Sequence, residues 1–123
     1  MKTVISLALV AALAAGSANA ACTYPKAPEK IPDGGTATLE EMIAAQRGVK
    51  QFDADITAYQ NCLETEFNDA MSKEASLTEE QKKERRKIVD QKMNAAVDEA
   101  QGLAGRLNAQ IRVYKEKAAA KKN

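Results

Sequence analysis

The chain has no histidine, and its only cysteines are Cys22 and Cys62. Those two facts remove most of the side-chain chemistry open to a small protein. Without imidazole there is no Ser-His-Asp or Cys-His nucleophile and no His-containing zinc site. The cysteines lie too far apart for a CxxC redox motif or a structural zinc knuckle. Beyond residue 20 the serines are Ser72 and Ser76. Asp53 and Asp55 are two positions apart, so on a helix they point away from each other and cannot share a proton. Gly102-Leu103-Ala104-Gly105 lacks the Lys-Ser/Thr that makes a glycine loop a phosphate cradle. The expectation is a non-enzymatic protein with no catalytic residue, no cofactor and no metal. The remaining cysteine chemistry is a disulfide.

An oxidised pair needs an oxidising compartment, and the N-terminus supplies the address. Lys2 precedes an uncharged apolar run, Val4 to Ala15. Gly16 and Ser17 break it, and Ala18-Asn19-Ala20 forms a small-x-small cleavage site. Residues 1–20 therefore read as a signal peptide cleaved after Ala20, which places the protein in the periplasm. The run falls short of the about 20 apolar residues a spanning helix needs. Lipidation at Cys22 would call for a Leu-like residue where Asn19 stands. Loss of Lys2 takes the formal charge from +1 to zero. In such a compartment Cys22 and Cys62 pair, and closing that loop adds about 4 kcal/mol in the chain-entropy model. An intermolecular bridge is the competing arrangement.

The elements that must position this bond follow from periodicity. Met42, Ala45, Val49, Phe52, Ile56, Tyr59, Leu63, Phe67 and Ala70 repeat at threes and fours, with a heptad position running from Met42 to Ala70. Met93, Val97, Ala100, Ala104, Leu107, Ile111, Tyr114 and Ala118 do the same, with Ala96 and Leu103 widening the stripe. Thr38-Leu39-Glu40-Glu41 and Thr78-Glu79-Glu80-Gln81 are capping boxes. The reading is all-α: helices over about 38–72 and 78–117, joined by a short turn and folded as an antiparallel, coiled-coil-like hairpin, with a frayed tail at 118–123. Pairing about the turn sets Leu63 near Lys87, Ile56 near Asn94 and Val49 near Gln101. Gly102 and Gly105 are expected where the helices approach closely, with a bend or a ligand-contact site as the alternative, and Gly48 falls near Gly102.

Aromatic residues make up only 4% of the chain and alanine inflates its 45% hydrophobic content, so the seam between helices is thin and needs a strap. Residues 21–37 supply one. Pro25, Pro28 and Pro32 exclude helix and favour extended geometry. Cys62 lies about 36 Å up the first helix at 1.5 Å per residue. A fully extended leader from Cys22 to Thr38 reaches about 50 Å. The bridge therefore requires an extended strap running antiparallel along the first helix.

Acidic residues gather on the first helix and basic ones on the second, a pattern suited to fixing partner and orientation. The densest basic run, Lys82 to Lys87, contains Glu84 and no aromatic residue, so no nucleic-acid partner is expected. Leu77-Thr78-Glu79-Glu80-Gln81 resembles the LTxxQ motif of the small helical periplasmic chaperones typified by Spy and CpxP. That resemblance implies long helices, export and ATP-independent chaperone action. The family usually carries two copies, and here Thr38 begins TLEEM instead. The start Cys22-Thr23-Tyr24-Pro25-Lys26-Ala27-Pro28, continued by Pro32-Asp33-Gly34, resembles small uncharacterised exported proteins of Gram-negative bacteria.

The functional expectation is a periplasmic interaction or structural protein that meets a protein partner or a second copy of itself. Its expected face is Met93, Val97, Leu103, Leu107, Ile111 and Tyr114, flanked by Arg85 and Arg86. A chaperone-like binder of unfolded chains is one alternative. Contact of the basic helix with anionic lipid is the other.

Overall fold

The computed structural model describes residues 21–122, and the expected signal segment at 1–20 lies outside them. Two helices, α1 (Leu39–Lys73) and α2 (Glu79–Ala120), form the hairpin, and no strand occurs among the described residues. Both start where the threonines place them. Thr38 Oγ1 accepts from the Glu41 amide at 3.2 Å and the Glu41 carboxylate accepts from the Thr38 amide at 2.7 Å. Thr78 and Gln81 repeat the exchange at 3.2 and 2.9 Å. Each box satisfies two amides that have no intrahelical partner, which fixes the helix start to a single residue. The Leu77–Gln81 motif is thus the cap of α2.

α1 ends at Lys73, and the amide of the capping residue Glu74 reaches Ala70 O at 3.0 Å. The turn is braced by Arg85 on Glu74 at 2.6 Å. α2 continues to Ala120 rather than stopping at Lys117. Ala118, Ala119 and Ala120 are the strongest helix formers available, so residues expected to fray remain helical.

The seam consists of Met42, Val49, Phe52, Ile56 and Leu63 from α1 against Ala96, Ala100, Leu103 and Leu107 from α2, with no buried polar residue among them. On α2 this is a correction. Ala96 and Leu103, expected at the margin, lie at the centre, while Met93, Val97 and Ala104 are half-buried and Ala118 is exposed. The two stripes share Ala100 and Leu107, and the large Leu103 side chain draws the helix round to its own side. Near the turn the register is the expected one, with Glu64 opposite Arg86. Further along, Val49 lies beside Ala104, Leu107 and Ile111. Ala104 is about one turn past the expected partner Gln101, and Leu107 and Ile111 are about two and three turns past it, so the register drifts along the hairpin.

The glycines are also corrected. A Cβ on Gly102 or Gly105 would meet nothing within 4 Å, so neither marks a close approach of helices. Gly48 faces the ring of Pro28 rather than Gly102. Two exposed mid-helix glycines lower helix stability with no packing return. Gly102→Ala and Gly105→Ala are each expected to raise the unfolding free energy by about 1 kcal/mol, read as a higher urea midpoint at unchanged slope.

Opposite charge does not set the pairing. Among the described residues, one ion pair, Arg86 with Glu64 at 2.8 Å, joins the two helices. Exposed pairs of this kind are each worth little. The apolar seam holds the hairpin, and the strap closes one side of it.

Candidate functional site

The strap covers residues 21–37 and has no regular secondary structure outside the turn at 34–36. Cys22 is bonded to Cys62 with Cα atoms 5.7 Å apart. The Cys22 amide donates to the Glu66 carboxylate at 3.1 Å. Tyr24 packs edge-on against Tyr59 at 5.1 Å and its hydroxyl donates to Glu99. Ala27, Ile31 and Ala37 then lie against the seam. Beyond Pro32 the chain turns: Asp33 O accepts from Thr36 and Ala37, and Asp33 Oδ1 accepts from Gly35.

This turn sets Gly34 on the backbone of α2. Gly34 is buried, and its amide donates to Gln110 Oε1 at 2.8 Å. A Cβ there would stand 2.0 Å from the Gln110 carbonyl oxygen, so only glycine fits. Lys117 reaches across to donate to the Gly35 carbonyl. Between strap and α1 remains a cavity of about 510 Å³, floored by Ala44, Ala45 and Gly48 and walled by Pro28 and Pro32.

The opposite side of the hairpin has no such cover. A shallow cleft of about 160 Å³ runs there between Gln46, Val49 and Lys50 on α1 and Ala104, Asn108 and Ile111 on α2. Leu39 and Ile43 continue the α1 side of the cleft at four- and three-residue steps, and they are 58% and 38% exposed. Ile88 and Val113, at 45% and 40%, are exposed as well.

The residues expected to form one interaction face divide among three places. Leu103 and Leu107 are 2% and 4% exposed and belong to the seam, closed to any partner. Tyr114 packs under the strap turn, where its amide would be 2.8 Å from a Cβ on Gly34. Met93, Val97 and Ile111 remain half-buried. Arg85 is held by Glu74. Arg86 binds Asp90 at 2.6 Å and Glu64 at 2.8 Å, and lies 4.9 Å over the Phe67 ring. The hydrogen bonds it donates to Asp90 and Glu64 hold its guanidinium pKa above the ordinary value. Both arginines therefore work inside the chain. Sequence reasoning missed Glu66, Glu99, Gln110 and Lys117, the polar anchors of the strap. It also missed Leu39 and Ile43, whose spacing is a second, shorter stripe on α1.

Cys22, Cys62 and Glu66 are the one group among the described residues with ligand atoms close enough to share a metal ion. With the sulfurs bonded to each other, neither is a thiolate ligand. No helix among the described residues is long and apolar enough to cross a membrane.

Tyr24 has a raised pKa. Partial burial, then the Glu99 carboxylate it bonds, push its pKa up to about 12 from 10.0. Because the folded-state value is the higher one, the neutral phenol supports the strap fully below about pH 10 and loses that support as the pH rises toward 12. A late-ionising component is expected in the phenolate absorption titration, and Tyr24→Phe should remove it.

Fold and site together define a strapped, disulfide-closed helical hairpin with one covered and one open edge. Compared with family models, curated proteins and solved structures, the chain matches none of them.

Proposed function

We propose that this is a non-enzymatic, exported helical interaction protein that receives a protein partner along its open edge. The observation that carries the reading is the series Leu39, Ile43 and the Val49–Ile111 cleft, left uncovered on the side away from the strap. Three features support it. The Cys22–Cys62 bond suits an oxidising compartment, in keeping with the signal-like start at 1–20. The absence of histidine leaves little for catalysis to use. The chain's own strap closes one side of the seam and leaves the other as a surface for a partner.

The long-helix hairpin capped by Leu77–Gln81 is in keeping with the resemblance to Spy and CpxP. On that reading the partners are unfolded chains, and the same edge holds them. The test separates the cases. A photo-crosslinking residue is placed at Ile43, at Asn108 and, as control, at Lys30 on the strap. One discrete adduct from Ile43 and Asn108, absent from Lys30, supports a dedicated partner. A ladder of many adducts supports client binding. No adduct from either edge position, in cells grown with and without envelope stress, overturns the proposal.

A further inference from the structure

We propose that the strap is a redox latch: reduction of the Cys22–Cys62 bond releases residues 21–32 from the hairpin while the Asp33–Thr36 turn stays docked on α2. This goes beyond the partner proposal and does not depend on it, since it concerns the opposite edge.

The inference rests on the unequal anchoring of the strap's two ends. The turn end is held by close packing. Gly34 is buried, its amide is bonded to Gln110, its Cα lies against the α2 backbone, and Lys117 adds a bond to Gly35. The cysteine end is packed more lightly: Tyr24 meets Tyr59 edge-on and Ala27 and Ile31 lie against the seam, but no residue of 21–32 is fully buried. Its two polar contacts to the helices, Cys22 to Glu66 and Tyr24 to Glu99, are both at the surface. Tyr24 itself is 42% exposed. Lys26 bonds Glu29, within the strap, and holds nothing to the hairpin. An extended proline-bearing segment has no internal hydrogen bonds to keep its shape once an end is free. Between the two ends lies the cavity above Ala44, Ala45 and Gly48, where strap and helix are not in full contact. The bond therefore adds to this end the hold that a buried residue gives the other.

The chemistry needs a dithiol, either a small one or a thioredoxin-type protein. Its thiolate attacks one of the two sulfurs, and the other leaves as a thiolate and takes up a proton. The second thiol of the reductant then attacks the mixed disulfide and frees the remaining cysteine. Two electrons pass to the protein, one disulfide becomes two thiols, and the reductant ends as a disulfide. Glu66 guards this step. Its carboxylate lies within 4.8 Å of both sulfurs. A negative charge there opposes both the incoming thiolate and the leaving one. Opening uncovers Ala45, Gly48 and Tyr59 along α1, which are half-buried in the oxidised protein.

Limited trypsin digestion of the exported chain, before and after dithiothreitol, tests the latch. Cleavage after Lys26 and Lys30 should rise at least tenfold on reduction, while cleavage after Arg47, Lys50 and Arg106 in the helices stays unchanged. Unchanged strap cleavage overturns the proposal, because packing alone then holds the strap. Equal acceleration at the helical sites also overturns it, because the bond then braces the whole hairpin. Glu66→Gln keeps the acceptor for the Cys22 amide and removes the charge. It should speed reduction by dithiothreitol about three- to tenfold, the effect of one unit charge at this range in a largely aqueous setting. An unchanged or slower rate removes Glu66 from the guarding role.

Discussion

Leu103→Ala should lower the unfolding free energy by about 2–5 kcal/mol, while Val97→Ala costs about 1 kcal/mol or less. The contrast is large because the two side chains sit in different places on one helix. Leu103 is 2% exposed and belongs to the same buried cluster as Phe52 and Ile56, so its removal opens a cavity in a seam whose other α2 members include two alanines. A thin seam has few side chains that could move in to refill it. Val97 is half-buried on the open edge, where water replaces whatever is removed. Urea unfolding followed by far-ultraviolet circular dichroism gives both values. Equal costs at the two positions would restore the stripe through Met93 and Val97 as the true contact line.

Gly34→Ala is expected to cost about 1–3 kcal/mol, the range for forcing extra volume into a packed contact. Its Cβ would fall 2.0 Å from a backbone oxygen of α2, and a helix backbone cannot yield by the ångström or more required. The strap turn must back away instead. That stretches the Gln110 bond and the Lys117 bond together, so the loss is concentrated at one end of the strap. Amide exchange at Gly34 reports it directly, with protection present in the parent and lost in the variant. A variant as stable as the parent, with Gly34 still protected, would mean that the turn does not lie on α2 as described.

The parts of this architecture written in local chemistry were legible from sequence. Thr38 with Glu41 and Thr78 with Gln81 fix the helix starts through contacts three residues apart. The prolines and the reach of an extended chain were enough to draw the strap antiparallel to α1 and bring Cys22 to Cys62. What was not legible depends on rotation and on distant partners. Stripes through Ala100 and Leu107 fit α2 in two orientations about its axis, and periodicity does not choose between them. That one rotation carried Leu103 inside and left Gly102 and Gly105 facing water. The candidate face is divided, since Leu103 and Leu107, counted on it, lie in the seam. Gln110 and Lys117 gave no warning, because a Gln or Lys on a helix looks alike whether it faces solvent or takes a turn 76 or 82 positions away.

Pull such a molecule by its two ends and the covalent loop becomes a gauge of its chemical state. Tension bypasses the 40 steps between Cys22 and Cys62. At about 3.5 Å per step, about 140 Å of chain stays out of the load path until the sulfurs part. Most of α1 would then feel no force in the oxidised molecule and its full share in the reduced one.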